Sequence, residues 1–88
     1  MKHAGPQALD VLEDLLAAVR QHGNLKEKKR GTFYCKSSGF LHFHEDPAGM
    51  FADLKTGDDY ERLPVNTAGE RRRFLARVKT ELAKAAKG

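Results

Sequence analysis

The sequence predicts an α+β domain: a helix, a four-stranded antiparallel meander and a second helix, in that order. Three observations predict it. Apolar residues recur at helical spacing over residues 7–22 and again over 68–86. Between these stretches lie four short runs rich in aromatic and β-branched residues, at 32–36, 40–44, 50–55 and 60–65. Every break between the runs is short and built from Ser, Gly, Pro and Asp, which joins neighbouring strands antiparallel.

The first helix opens at Gly5-Pro6, where proline at the first helical position gives up an N–H that has no partner there anyway. Leu9, Leu12, Leu16 and Val19 share one face, widened by Ala8 and Leu15. Asp10, Glu13 and Asp14 stand on the other side near the positive end of the helix dipole. Gly23 and Asn24 supply a C-terminal stop. An apolar arc this wide requires a partner to cover it.

Lys26-Glu27-Lys28-Lys29-Arg30-Gly31 carries no hydrophobic period and is expected as a basic connector. Its plain reading is a solvated loop, and its functional one a phosphate-contacting patch.

The first two strands need a register. A two-residue loop at Ser37-Ser38 would set Phe33 against His42 and mix the faces. A three-residue loop, Ser37-Ser38-Gly39, sets Phe33 against Phe43 and Cys35 against Leu41, and offers glycine for a left-handed conformation. The second register is preferred, because a one-residue slip exchanges core for surface along the whole strand. Phe33, Cys35, Leu41 and Phe43 then face the core, and Thr32, Tyr34, Lys36, Phe40, His42 and His44 face away. In the third strand Met50, Ala52 and Leu54 point inward, and Phe51, Asp53 and Lys55 outward. Pro64 has no N–H for a ladder and places the fourth strand at an edge.

Thr67-Ala68-Gly69-Glu70 matches a capping box that starts the second helix. Phe74, Leu75, Val78, Leu82 and Ala85 form its buried stripe, with Arg73, Arg77 and Lys84 opposite. Arg71-Arg72-Arg73 is scattered by helical geometry: Arg71 falls towards the stripe and Arg73 away from it.

A chain of this length holds a single domain with a small core. No apolar run approaches the length of a membrane span, and the first residues lack the apolar centre of a signal peptide, so a cytoplasmic setting is expected. A single cysteine excludes an internal disulfide and a multi-cysteine zinc site. The net charge of +4 is a patchwork: −1 over residues 1–22, +4 over 23–36, −4 over 37–67 and +5 over 68–88. Alternation of sign weakens the step from a basic isoelectric point to nucleic-acid binding, which needs basic charge gathered on one surface.

The outward strand face carries the candidate site. Tyr34, Phe40, His42, His44 and Phe51 form an aromatic and histidine surface, with Lys28, Lys29 and Arg30 at its margin. Such a face can contact a protein partner or a second copy of the chain. It can also stack bases while the lysines hold a nucleic-acid backbone. His42 and His44 alternate on one strand and so project from the same face, where they can share a metal ion. A third ligand is required, and His22, Glu45, Asp46 and Asp53 are the candidates. The alternative to all three is that a helix covers each sheet face, which would make these residues a second small core. There is no serine elbow, phosphate loop or carboxylate pair with an evident pocket, and no cofactor motif. Asp58-Asp59 and Glu45-Asp46 read as turn residues, and Cys35, in phase with Phe33, as a core residue.

The segments Gly31-Thr32-Phe33-Tyr34-Cys35-Lys36 and Phe40-Leu41-His42-Phe43-His44-Glu45-Asp46-Pro47-Ala48-Gly49 resemble those of small uncharacterised bacterial proteins with no assigned activity. The resemblance spans the central half of the chain. It implies a bacterial setting and carries over no catalytic residue. The expected function is a non-enzymatic binding module acting through the aromatic and histidine face. A protein partner or self-association is favoured, nucleic acid is the first alternative, and metal binding through His42 and His44 is the second.

Overall fold

The computed structural model describes residues 2–87, in which three helices lie against one antiparallel sheet in an α+β arrangement. In chain order the elements are β1 (Lys2–His3), α1 (Pro6–Val11), α2 (Glu13–Arg20), β2 (Lys26–Lys29), β3 (Thr32–Cys35), β4 (Ser38–Asp46), β5 (Gly49–Thr56), β6 (Asp59–Pro64) and α3 (Ala68–Lys87). The sheet runs β2-β3-β4-β5-β6, and β1 adds to β4 beyond the end of β3.

The order helix, four strands, helix is therefore corrected in three places. The N-terminal helix is interrupted at Leu12 (φ −90°, ψ 3°), although Leu12 N–H still bonds the Ala8 carbonyl and Leu16 N–H the Leu12 carbonyl. The basic connector is in fact an edge strand, β2. Its backbone pairs with β3 and its side chains reach the helices. Arg20 bridges Glu13 and Glu27, while Arg30 bridges Asp10 and Glu13. Acidic helix residues thus meet the basic segment, and the charge patchwork is matched within the molecule. These exposed pairs are screened by solvent and add little to stability. The sixth strand, β1, is two residues long and gives no sequence signal.

The β3–β4 register is corrected as well. The loop is Lys36-Ser37, both residues left-handed (φ 53° and 68°), as a two-residue hairpin turn demands. Cys35 faces Ser38 and Tyr34 faces Gly39, but Phe33 faces Leu41 instead of Phe43. One extra residue, Phe40, is accommodated as a bulge. The bulge turns the Phe40 ring into the core, so Phe40 does not belong to the outward face. A short turn and correct strand faces are both satisfied, at the cost of one break in the alternation.

The other strands follow their alternation. Ala52 and Leu54 are buried and Met50 is partly so, while Phe51, Asp53 and Lys55 lie on the other face. Pro64 is on the edge strand β6. Gly49 (φ +135°) closes the β4–β5 turn, in a backbone region that side chains rarely enter. The Asn66 amide accepts from Met50 N–H at 2.8 Å and donates to its carbonyl at 3.2 Å, beside Gly49, where an added Cβ would meet Asn66 Oδ1 at 2.8 Å. Gly49→Ala is expected to lower stability by ~1–3 kcal/mol. Chemical denaturation checks this, and a loss under half a kcal/mol would contradict it.

Both halves of the capping box form. Glu70 N–H donates to Thr67 Oγ1 and Glu70 Oε1 accepts from Thr67 N–H, each at 3.1 Å. Backbone N–H groups of Asn66 and Thr67 hold the Glu70 carboxyl below the usual carboxylate range. Thr67→Ala is expected to cost ~1 kcal/mol. Arg71 turns back to donate to the Val65 carbonyl, whereas Arg73 is exposed.

Leu9, Leu12, Leu16 and Val19 from α1, the turn at Leu12 and α2 join Phe74, Val78 and Leu82 of α3 and the inward residues of β3, β4 and β5 in one buried cluster. All the helices therefore pack on the same side of the sheet. The opposite face is uncovered among the described residues, and its side chains cover one another.

Candidate metal centre on the uncovered sheet face

Two tight turns bring the site together by register. With the two-residue loop Pro47-Ala48, Asp46 faces Gly49 and His42 faces Asp53. With the two-residue loop Gly57-Asp58, Thr56 faces Asp59 and Asp53 faces Arg62. Directly opposed residues share a face. Thr32, His42, Asp53 and Arg62 thus form a row across four strands, and His3, His44, Phe51 and Pro64 form the next row.

His42, His44 and Asp53 converge where the rows meet. One ligand-type atom from each lies within 4.8 Å of the others. His44 Nε2 stands 3.0 Å from Asp53 Oδ2. That approach is a close contact without the alignment of a hydrogen bond: both ring nitrogens of His44 are buried and have no hydrogen-bond partner among the described residues. A buried polar group left unsatisfied costs ~1–3 kcal/mol. The His44 and Asp53 side chains are only 12% and 15% exposed, so water does not readily make good the deficit.

The surroundings hold these groups in place. The Arg62 guanidinium donates to both Asp53 oxygens, at 2.9 and 3.1 Å. Burial pushes the Asp53 carboxyl up, but the Arg62 bonds and the neighbouring imidazole outweigh it, and the group titrates below its ordinary range. The His42 ring stacks on Tyr60 with 5.2 Å between centroids, and the Tyr60 hydroxyl donates to the Gly39 carbonyl at 2.8 Å. Burial first, then repulsion from His44, lowers the His42 pKa. Both shifts leave a neutral imidazole and an ionised carboxylate near neutral pH, the forms that bind a metal. His3 stacks on His44 at 4.8 Å and meets the edge of His42 at 6.2 Å, so three imidazoles crowd one patch.

Proton linkage has a definite sign here. The folded-state pKa of His42 lies below its unfolded value of about 6.5, so the unfolded chain binds the extra proton. The resulting stabilisation is complete above that value and is lost as pH falls through the folded value. The depressed Asp53 acts in the same direction at lower pH. The metal-free protein is expected to have a lower thermal midpoint at pH 5 than at pH 7.5. The difference should shrink in His42→Phe. Equal midpoints in the parent protein would contradict the linkage.

The structure distributes the expected site residues unevenly. His42 and His44 come together, and of the four candidate third ligands only Asp53 joins them. Glu45 accepts from Gly5 N–H, Asp46 accepts from Ala48 N–H, and His22 lies beyond the end of α2. Phe51 and Tyr34 are on the uncovered face, half-buried. Phe40 is in the core. Lys28 Nζ sits 4.5 Å from the centre of the Tyr34 ring, Lys29 is exposed, and Arg30 is committed to Asp10 and Glu13. Arg62, Tyr60 and His3 were not expected. Counting residues back through the two tight turns would have placed Asp53 and Arg62 beside His42. Nothing in the sequence points to His3. Comparison with protein-family models, curated proteins and solved structures finds no match for the chain.

Proposed function

We propose that this protein binds one divalent transition-metal ion of the zinc type on its uncovered sheet face, through His42, His44 and Asp53. The observation that carries the reading is the buried imidazole of His44: both nitrogens lack a hydrogen bond among the described residues, and one is 3.0 Å from a carboxylate oxygen. An ion between them satisfies the imidazole and uses the carboxylate charge. Two imidazole nitrogens and one carboxylate oxygen suit zinc and its neighbours. At bond lengths of ~2.1 Å and tetrahedral angles the ligand atoms stand about 3.4 Å apart. The cluster spans up to 4.8 Å and needs only a small closure of side chains. Arg62, bonded to both Asp53 oxygens, fixes the orientation of the carboxylate, as outer partners of metal ligands do.

The same observations rank this reading above a contact face for protein or nucleic acid. With Phe40 in the core, the outward aromatics are Tyr34, Phe51 and Tyr60, and Lys28 already covers Tyr34. Of the basic margin, Arg30 is spent on the helix carboxylates of Asp10 and Glu13.

Calorimetric titration with Zn2+ tests the proposal, supported by the visible spectrum of the Co2+ form. One ion per chain is expected, with loss of binding in His42→Ala and in His44→Ala. Absence of binding, or binding that survives the double variant, would overturn it. Saturation at 100 times the dissociation constant should stabilise the fold by about 2.7 kcal/mol.

A further inference from the structure

A groove of about 680 Å3 borders the cluster, and its origin is topological. Strands β1 and β3 both pair with the same side of β4, β1 at His3↔His44 and β3 at Thr32↔His42. Between these pairings the chain bends from Ala4, whose N–H bonds the Phe43 carbonyl, into α1. The opening left between β1 and the start of β3 is lined by His3 and His42 together with Lys29, Arg30, Thr32 and Tyr34. The remaining lining is apolar or glycine, and no carboxylate lines it. Its size is within the ~300–1,000 Å3 of small-molecule sites.

The charges in the groove select the sign of its ligand. Arg30 is neutralised by Asp10 and Glu13, but Lys29 is exposed and has no ion-pair or hydrogen-bond partner among the described residues. Thr32 and Tyr34 add hydroxyl donors on the same wall. A metal ion held by three protein ligands keeps a position open for an exogenous group. His42 belongs to both the cluster and the groove lining, so the groove adjoins the cluster.

We infer that the groove takes a small organic anion, with a phosphate or carboxylate group directed to the metal ion and to Lys29 and an apolar body against the remaining lining. This inference rests on the metal reading. The negative group meets an ion carrying two positive charges and the Lys29 ammonium, and no carboxylate in the lining repels it.

Co2+ replaces zinc as a spectroscopic probe in the test. Once the protein is loaded with Co2+, phenyl phosphate, benzoate and neutral benzyl alcohol are titrated separately while the visible bands are followed. Phenyl phosphate or benzoate is expected to shift the bands saturably, and benzyl alcohol to leave them unchanged. The anion that binds more tightly identifies the group. At full Co2+ loading, Lys29→Ala should bind that anion about fivefold more weakly, in keeping with a partly exposed charge pair. Bands that respond to neither anion, or respond equally to the alcohol, overturn the anion site and leave the metal site standing. Unchanged anion affinity in Lys29→Ala overturns the role of Lys29. Failure of Co2+ to bind overturns the metal reading and the anion site together.

Discussion

His44→Phe is expected to abolish zinc binding and, in the same protein, to stabilise the metal-free fold. The two effects share one cause. The imidazole is buried with neither nitrogen hydrogen-bonded among the described residues, so the metal-free fold bears a desolvation cost that no hydrogen bond offsets. Phenylalanine removes the two polar atoms and keeps a flat ring. The gain is ~1–3 kcal/mol, which for a domain this small raises the thermal midpoint by roughly 4–24 °C. Affinity for zinc should fall by more than about 100-fold, since a ligand is lost rather than one of the outer partners that cost 10–100-fold. A stabilised protein that no longer binds metal is the signature of a site maintained at the expense of stability. If His44→Phe were markedly destabilising without metal, the ring nitrogens would have to be making an attraction that outweighs their burial, and the case for an ion would lose its main support. His42→Phe should also lose the metal, with a smaller gain in stability, because the His42 nitrogens are not among the buried unsatisfied atoms.

Phe74→Ala is expected to have the largest effect on the fold. Phe74 is fully buried at the meeting of α3 with the sheet, and its ring lies edge-on to Phe43 with 5.7 Å between centroids. Truncation leaves a cavity where the helix layer meets β4, at ~3–5 kcal/mol. Small domains have only ~5–15 kcal/mol in total, and this one lies towards the lower end by length. The thermal midpoint followed by circular dichroism should fall by more than about 15 °C. Val11→Ser is the control, because Val11 is 60% exposed and its replacement should move the midpoint by only a few degrees. Similar midpoints for the two variants would contradict the single-core description.

Part of the candidate site is legible in the sequence. His42 and His44 alternate on a strand, which is enough to place them side by side, and Asp53 stood among the four candidate third ligands. The register that selects Asp53 over Glu45, Asp46 and His22 depends on the turns at Pro47-Ala48 and Gly57-Asp58 having two residues each. That number is a property of turn geometry and can be counted, but its consequence appears only when strand faces are matched across three strands. His3 lies far from His44 in sequence, and a two-residue strand has no period to detect.

Local sequence by itself determined the helical segments apart from the break at Leu12, the inward faces of β5 and α3, the edge position of β6 through Pro64 and the capping box through Thr67 and Glu70, because each rests on residues within a few positions of one another. Tertiary structure decided the rest. Lys26–Lys29 became a strand through backbone pairing and ion pairs to α1 and α2, which no local propensity encodes. Phe40 entered the core because closing a two-residue turn at Lys36-Ser37 required a bulge, and the bulge reverses the face of one residue. Both helical regions packed on the same side of the sheet because together they close one apolar cluster. That choice leaves the histidine row uncovered, with the His44 nitrogens shielded by their neighbours yet without a hydrogen-bond partner among the described residues.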